Sequence, residues 1–495
     1  MKDFLFGLMA KVSGQSYSPS WESKIFSIFN AGLFLLILLV IFVIYFYRYF
    51  WQDKENRRLG IVSVIILFTI IIGKFVLFKI KTGYIPDRLL FYALPSPKIV
   101  NPIWFILAVG IFYLFIIWRE KLQNLTVKKF LVTLCLIFFV FASSVAGIRE
   151  GAKSIMDPMT RTYWEYTGNI PLIVNTHDFL RDYEVLRPQL ALHSTVHPPG
   201  YSLLVYYFHK LFNVSFLGIS LLIILTSGFS IFPLYFLLKN FFEERRVRNI
   251  LQLYIFIPSI VLMSGTSLAA FFTTIVWSAI TLLYIGWRKS WFLSALGGLT
   301  AGIALFSNFL FLLLAPVFLS IFIYVWLKND TQKRARSVFN LAVSFLSFVL
   351  FFVFLWRWSG YSIIENFIVS RGANQEIVIS NWQSVWVYFI FIIMNLLSFG
   401  ISLGVANGLI IFKDKNNFFI KNKPELWLGF AYVLFLLSVG VFQGELERLW
   451  MFVVPFFLFP LGKSLEKISE RKFSLILSLL FLQIIFIQVL FYTYW

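Results

Sequence analysis

Apolar runs of roughly twenty residues, separated by short polar clusters, recur along the whole chain. A helix rising 1.5 Å per residue needs about that many apolar residues to cross a bilayer. The runs do not alternate polar and apolar positions, as the shorter strands of a membrane barrel would. The pattern predicts an all-α polytopic membrane protein with fourteen candidate transmembrane helices. They fall near 28–50, 60–80, 102–118, 129–148, 216–238, 249–265, 267–287, 291–307, 309–327, 338–356, 385–411, 425–442, 449–462 and 473–493. Only Ser264-Gly265-Thr266 and Ser307-Asn308 separate the runs at two of these divisions.

The polar intervals between the runs sort alternately by charge. One set comprises 48–58, 119–129, 239–248, 288–289, 328–336, 413–423 and 463–472, and holds 26 of the 43 Lys and Arg residues. By the positive-inside rule these short loops are expected on the cytoplasmic side. The other set comprises the N-terminus, 81–101, 149–215, 357–384 and 443–448, and carries 13 of the 23 acidic residues. It is expected on the exterior face, which also places both termini outside. In this frame Pro199–Phe212 is too short to span, and its Tyr201, Tyr206, Tyr207, His209 and Lys210 suit a helix lying on the membrane surface. A shorter surface helix is expected over Ile363–Ser370, ended by Gly372.

Composition narrows the class further. The chain is 59% hydrophobic and 13% charged, about half the charge of a soluble domain. Its net charge of +20 sits at the ends of apolar runs, where it orients the chain and meets anionic lipid rather than nucleic acid. The single cysteine, Cys135, allows neither an intrachain disulfide nor a metal framework. No cleavable signal peptide is evident. Phe4, Leu5, Leu8 and Met9 instead predict a short amphipathic surface helix over Lys2–Lys11.

Chemistry concentrates in the longest polar interval. All four histidines, His177, His193, His197 and His209, lie in or beside 178–207. Across 149–200 they are joined by Arg149, Glu150, Lys153, Asp157, Arg161, Glu165, Asp178, Arg181, Asp182, Glu184 and Arg187. Any one acid here can simply solvate a loop, but composition alone would scatter the histidines. His193 and His197 share a helical face by spacing. His197 precedes Pro198-Pro199, however, and a residue before proline is pushed away from helical geometry. No metalloprotease-type His-Glu pair is present, so hydrogen bonds or charge offered to a phosphate suit the pair better than a metal. Arg149, Lys153, Arg161, Arg181 and Arg187 are further phosphate candidates. A second exterior candidate is Glu445-Leu446-Glu447-Arg448, whose charges are costly beside apolar spans unless paired. Ser307 and Asn308 are lesser candidates.

FLRDY (179–183), LALHSTVHPPG (190–200) and GELERLWMFVVPFF (444–457), arranged around a long exterior loop with acids near its start, resemble the C-type (GT-C) glycosyltransferase superfamily. The likeness is to its protein O-mannosyltransferase and aminoarabinose-transferase-like branch and covers roughly 149–460. It implies inverting transfer of a sugar from a polyprenyl-phosphate donor to a lipid, glycan or protein acceptor. An acidic residue early in the loop would accept the acceptor's proton, and cations would stabilise the phosphate leaving group. Carried over by position, the base is Asp157 or Glu165. The family's Asp-Glu-Tyr pattern is replaced here by Asp157-Pro158, so both acids stay open. Arg161, Asp178, Arg181, Asp182, His193, His197, Glu445 and Arg448 become donor-phosphate or substrate-binding candidates. The resemblance leaves room for a divalent cation, Mg or Mn, and requires no other cofactor.

Residues 1–128 read as an amphipathic segment and three added helices, 129–462 as the GT-C-like core with its loop 149–215, and 463–495 as a C-terminal helix. The expected location is a bacterial plasma membrane with the site facing outside. A transporter or flippase of lipid-linked glycans is the alternative. It would more often carry charges or Gly/Pro breaks at mid-span and an internal repeat, whereas here the span interiors are nearly charge-free, no convincing repeat is found, and the polar residues concentrate in one exterior loop. A glycan polymerase or ligase, or a scaffold, are further readings.

Overall fold

The computed structural model describes residues 21–80, 89–328, 330–377, 384–414 and 423–493. The surface helix expected at Lys2–Lys11 lies outside them. In chain order the longer helices are α1 (Trp21–Phe50), α2 (Lys54–Ile80), α3 (Pro102–Leu122), α4 (Val127–Gly147), α5 (Ala152–Thr160), α6 (Gly200–Phe212), α7 (Phe216–Gly228), α8 (Ile231–Leu238), α9 (Glu244–Tyr254), α10 (Ala269–Lys289), α11 (Trp291–Ser307), α12 (Ala315–Lys328), α13 (Thr331–Ser359), α14 (Ile363–Ile377), α15 (Val385–Leu403), α16 (Val405–Lys413), α17 (Leu428–Val439) and α18 (Glu470–Leu490). Two two-residue strands, β1 (Leu94–Pro95) and β2 (Phe491–Tyr492), pair antiparallel with Leu94 opposite Tyr492.

Among the described residues ten helices are long and apolar enough to cross a membrane, or eleven if α9 and the following Pro258–Ser264 form one span bent by 52°. The chain is therefore an all-α polytopic membrane protein. The expected count of fourteen is not reached because several apolar runs are short or interrupted. Helix α11 has 17 residues and α17 has 12. The run 449–462 opens as a 3₁₀ turn containing Pro455, where an α-helical hydrogen bond is lost. The run 385–411 breaks at Gly404, whose φ of +99° favours glycine. In a low-dielectric interior the freed backbone groups need partners. Gln483 of α18 supplies them: its side chain donates to the Ile401 carbonyl at 2.7 Å and accepts from the Val405 amide at 2.9 Å. Helix α18 is the most enclosed span, lying against α2, α4 and the Pro258–Ser264 turn. Helices α1 to α3 thus pack into the same bundle as the C-terminal span rather than beside it.

The two loop sets occupy opposite ends of the bundle. At one end, α3 and α18 join through Arg119 and Glu470 at 2.8 Å, Gln123 donates to Asn249 at 2.6 Å, and Lys413 and Lys472 both meet Glu55. At the other, Asn366 donates to Glu184 at 2.7 Å, Lys98 pairs with Glu150, and Arg149 donates to the Phe491 carbonyl at 3.0 Å. We call these the basic end and the histidine end.

At the histidine end, helix α6 has 13 residues, too few to cross a bilayer. Helix α14 runs past the expected stop at Gly372. The helix-ending glycine is instead Gly360, at φ +78°, which closes α13. Gly200 opens α6 where its backbone presses on the end of α11. A Cβ there would sit 2.4 Å from the Phe306 carbonyl oxygen.

Gly200→Ala is expected to lower stability by about 1–3 kcal/mol through overpacking. Gly372→Ala, where a Cβ meets nothing within 4 Å, is expected to leave it unchanged or raise it by up to ~1 kcal/mol. Thermal unfolding of the two variants in detergent checks the contrast.

Candidate functional site

The loop after α4 folds back on itself through backbone hydrogen bonds. The Leu192 amide donates to the Tyr163 carbonyl at 2.9 Å and the His193 amide to the Trp164 carbonyl at 3.1 Å. This short ladder sets Glu165 beside His193. The fully buried Asn169 locks the arrangement, donating to Ser194 at 2.6 Å and Ser202 at 2.8 Å while accepting from the Ala191 amide at 2.8 Å. The Tyr183 hydroxyl donates towards the carbonyls of Ser194 and His197, each at 3.0 Å.

Five candidate residues from distant parts of the sequence meet here. His193 Nδ1 lies 3.3 Å from Glu165 Oε1, and the Glu165 side chain is only 5% exposed. Arg448 pairs with Glu445 and acts electrostatically on Glu165, Tyr166, His197 and Tyr201. Burial opposes the charge of Arg448, but the carboxylates of Glu445 and Glu165 outweigh it and hold the guanidinium above its ordinary pKa. The Tyr166 ring lies 5.0 Å from Tyr201 and 6.4 Å from His197. Asn308 reaches the Tyr201 hydroxyl at 3.5 Å.

Of the two roles its sequence position suggested, hydrogen bonding or charge, His197 is suited to the first. Its Nδ1 is enclosed with no hydrogen-bond partner among the described residues. Burial, with the charges of His193 and Arg448 nearby, pushes its pKa from 6.5 down to about 3. The ring is therefore neutral near pH 7 and can offer a hydrogen bond but not a charge. That leaves Arg448, its side chain 15% exposed, as the cation of this cluster.

The turn carrying Arg448 is held from the opposite side. Glu445 adopts a left-handed φ of +59°, costly for a residue with a side chain. Asn395 of α15 accepts from the Gly444 amide at 3.3 Å and donates to the Phe442 carbonyl at 2.9 Å. The Glu447 carboxylate accepts from Ser398 at 2.7 Å and from the Tyr92 amide, and burial raises its pKa against these hydrogen bonds and the charge of Lys74. Lys74, fully buried in α2, donates to the carbonyls of Leu89 at 3.0 Å and Phe91 at 2.6 Å. The segment 89–92 is thereby clamped between Lys74 and Glu447.

The remaining candidates stand apart. Asp157 pairs with Arg161 at 3.1 Å and accepts from the Tyr492 hydroxyl at 2.8 Å, tying α5 to the end of α18. Asp178, Arg181 and Asp182 form an exposed ion cluster, with Arg181 2.9 Å from Asp178 and 2.8 Å from Asp182. Arg149 caps the C-terminal carbonyls of α18, Arg187 meets Glu184 at 2.7 Å, and Lys153 meets Glu150 at 2.8 Å. Among the described residues no three His, Cys, Asp or Glu side chains are grouped to hold a metal ion. Lys74 and Asn169 were not singled out by sequence pattern. A lone lysine inside an apolar run was the available signal for Lys74.

The fold and this enclosed polar cluster define a polytopic membrane protein with a candidate site at one end of its bundle. Compared with protein-family models, curated proteins and solved structures, the chain matches none.

Two outcomes follow from these contacts. Lys74→Met, which orphans the buried carbonyls of Leu89 and Phe91, is expected to cost roughly 2–6 kcal/mol, read as a lower unfolding temperature. The depressed His197 pKa means that between pH 6.5 and about 3 the unfolded chain binds a proton that the folded chain does not. Stability should therefore fall by about 2 kcal/mol between pH 7 and pH 5 through this group alone. The slope should flatten in His197→Asn, checked by unfolding at several pH values.

Proposed function

We propose that the protein is an inverting membrane glycosyltransferase of the C type, moving a sugar from a polyprenyl-phosphate donor to an acceptor hydroxyl. The observation that carries this reading is the Glu165 carboxylate, nearly buried and 3.3 Å from His193 Nδ1, within electrostatic reach of the largely buried Arg448 guanidinium. Glu165 is the base of this proposal rather than Asp157, whose carboxylate is already engaged by Arg161 and Tyr492. The acceptor oxygen attacks the anomeric carbon from the face opposite the phosphate. Its proton passes to Glu165 as the new bond forms, the bond from the anomeric carbon to the phosphate oxygen breaks, and the polyprenyl phosphate leaves with that electron pair. Arg448 stabilises the departing phosphate, and a guanidinium does so with two parallel hydrogen bonds. The exposed rings of Tyr163 and Trp164, just before Glu165, offer faces for a sugar. The positive-inside rule puts the histidine end outside the cell membrane, where a membrane-borne donor and an envelope acceptor can meet.

Transfer from radiolabelled polyprenyl-phosphate sugars by purified protein in lipid tests the proposal. Glu165→Gln is expected to lose about 10²–10⁴ in turnover while still binding donor, whereas Asp157→Asn keeps most of it. The reverse pattern would move the base to Asp157. No turnover with any donor, together with movement of intact lipid-linked sugar across the bilayer, would replace the transferase with a flippase.

A further inference from the structure

A second site lies at the basic end, away from Glu165. An open cleft runs between α8, α10, α12, α17 and the 456–459 segment. Its walls are apolar and aromatic, from Trp277 and Phe456 inside to Tyr284, Tyr324 and Glu425 at the mouth. Trp277 lies eleven residues before Arg288, so the cleft reaches about 16 Å inward along α10. That is about half the hydrocarbon thickness, or one leaflet.

The mouth carries both signs of charge. Oε2 of Glu425 is enclosed and has no hydrogen-bond partner among the described residues, which leaves an acceptor seeking a donor. Arg288 donates to the Tyr284 hydroxyl at 3.0 Å, and the Lys328 ammonium lies 4.6 Å from the Tyr324 ring centre. Both tyrosines lie within electrostatic reach of Glu425. No ion pair joins Glu425 to either cation among the described residues.

We propose that this cleft binds one chain of a phospholipid with a primary-amine headgroup, from the leaflet at the basic end. The aliphatic chain fills the aromatic cleft. The phosphate faces Arg288 and Lys328, and the ammonium donates to Glu425. An apolar surface in a bilayer is always covered by lipid, but a concave one with an enclosed carboxylate selects a head that can donate. A phosphatidylcholine head, whose nitrogen is fully methylated, has no N–H to give Glu425. The site stands independently of the transfer reaction.

The test is competition between phosphatidylethanolamine and phosphatidylcholine of identical chains for delipidated full-length protein, followed by native mass spectrometry. A charge-assisted hydrogen bond predicts about tenfold preference for the amine lipid. The preference should collapse towards one in Glu425→Gln, whose shape is preserved. Equal retention of the two lipids by the wild type would overturn the proposal and needs no variant. Preference unchanged in Glu425→Gln would overturn it too, as would displacement of both lipids by polyprenyl phosphate.

Discussion

The charge on Arg448 constrains everything around it. A guanidinium enclosed at the end of a membrane bundle is tolerable only with carboxylates and hydrogen-bond acceptors in place. Glu445 comes from the same turn, but Glu165 comes from a loop almost three hundred residues earlier. Glu165 in turn is placed by the backbone bonds between 163–164 and 192–193 and by the Asn169 hub. The turn itself is gripped through Glu447, Ser398 and the Tyr92 amide, with Lys74 behind them. A shift in α2 would therefore reach Arg448 through two hydrogen-bonded steps.

A second constraint is the cost of unpaired backbone within the bilayer. The chain interrupts its apolar runs at Gly404, before Pro258 and around Pro455. Each interruption frees amides and carbonyls that water cannot reach. Gln483 from the most enclosed helix covers the break at Gly404, and Asn395 covers the turn after α17. Polar residues inside otherwise apolar spans thus serve irregular backbone, and that backbone carries the candidate site.

Much of this was legible in the residue pattern. Apolar runs marked the spans, and the clustered histidines with the charged 445–448 turn marked two of the segments that meet at the site. Charge density misled where it could not separate a solvated cluster from an enclosed one. Asp178, Arg181 and Asp182 look as reactive on paper as Glu165, yet they lie at the surface pairing with one another. Arg149 looked like a phosphate ligand and is a helix cap. His197 could have offered a phosphate either a hydrogen bond or a charge, and its surroundings keep it neutral.

The sequence by itself determined the class of protein and the alternation of its loops. Transfer of apolar side chains from water to lipid is a local property, additive along a run, and needs no knowledge of neighbours. Only the tertiary structure decided which distant acid lies within electrostatic reach of Arg448, which carbonyls Lys74 holds and where a span gives way to a bend. Those outcomes depend on distances between residues remote in the chain, and on how far each charge is removed from water, which no run of residues encodes alone.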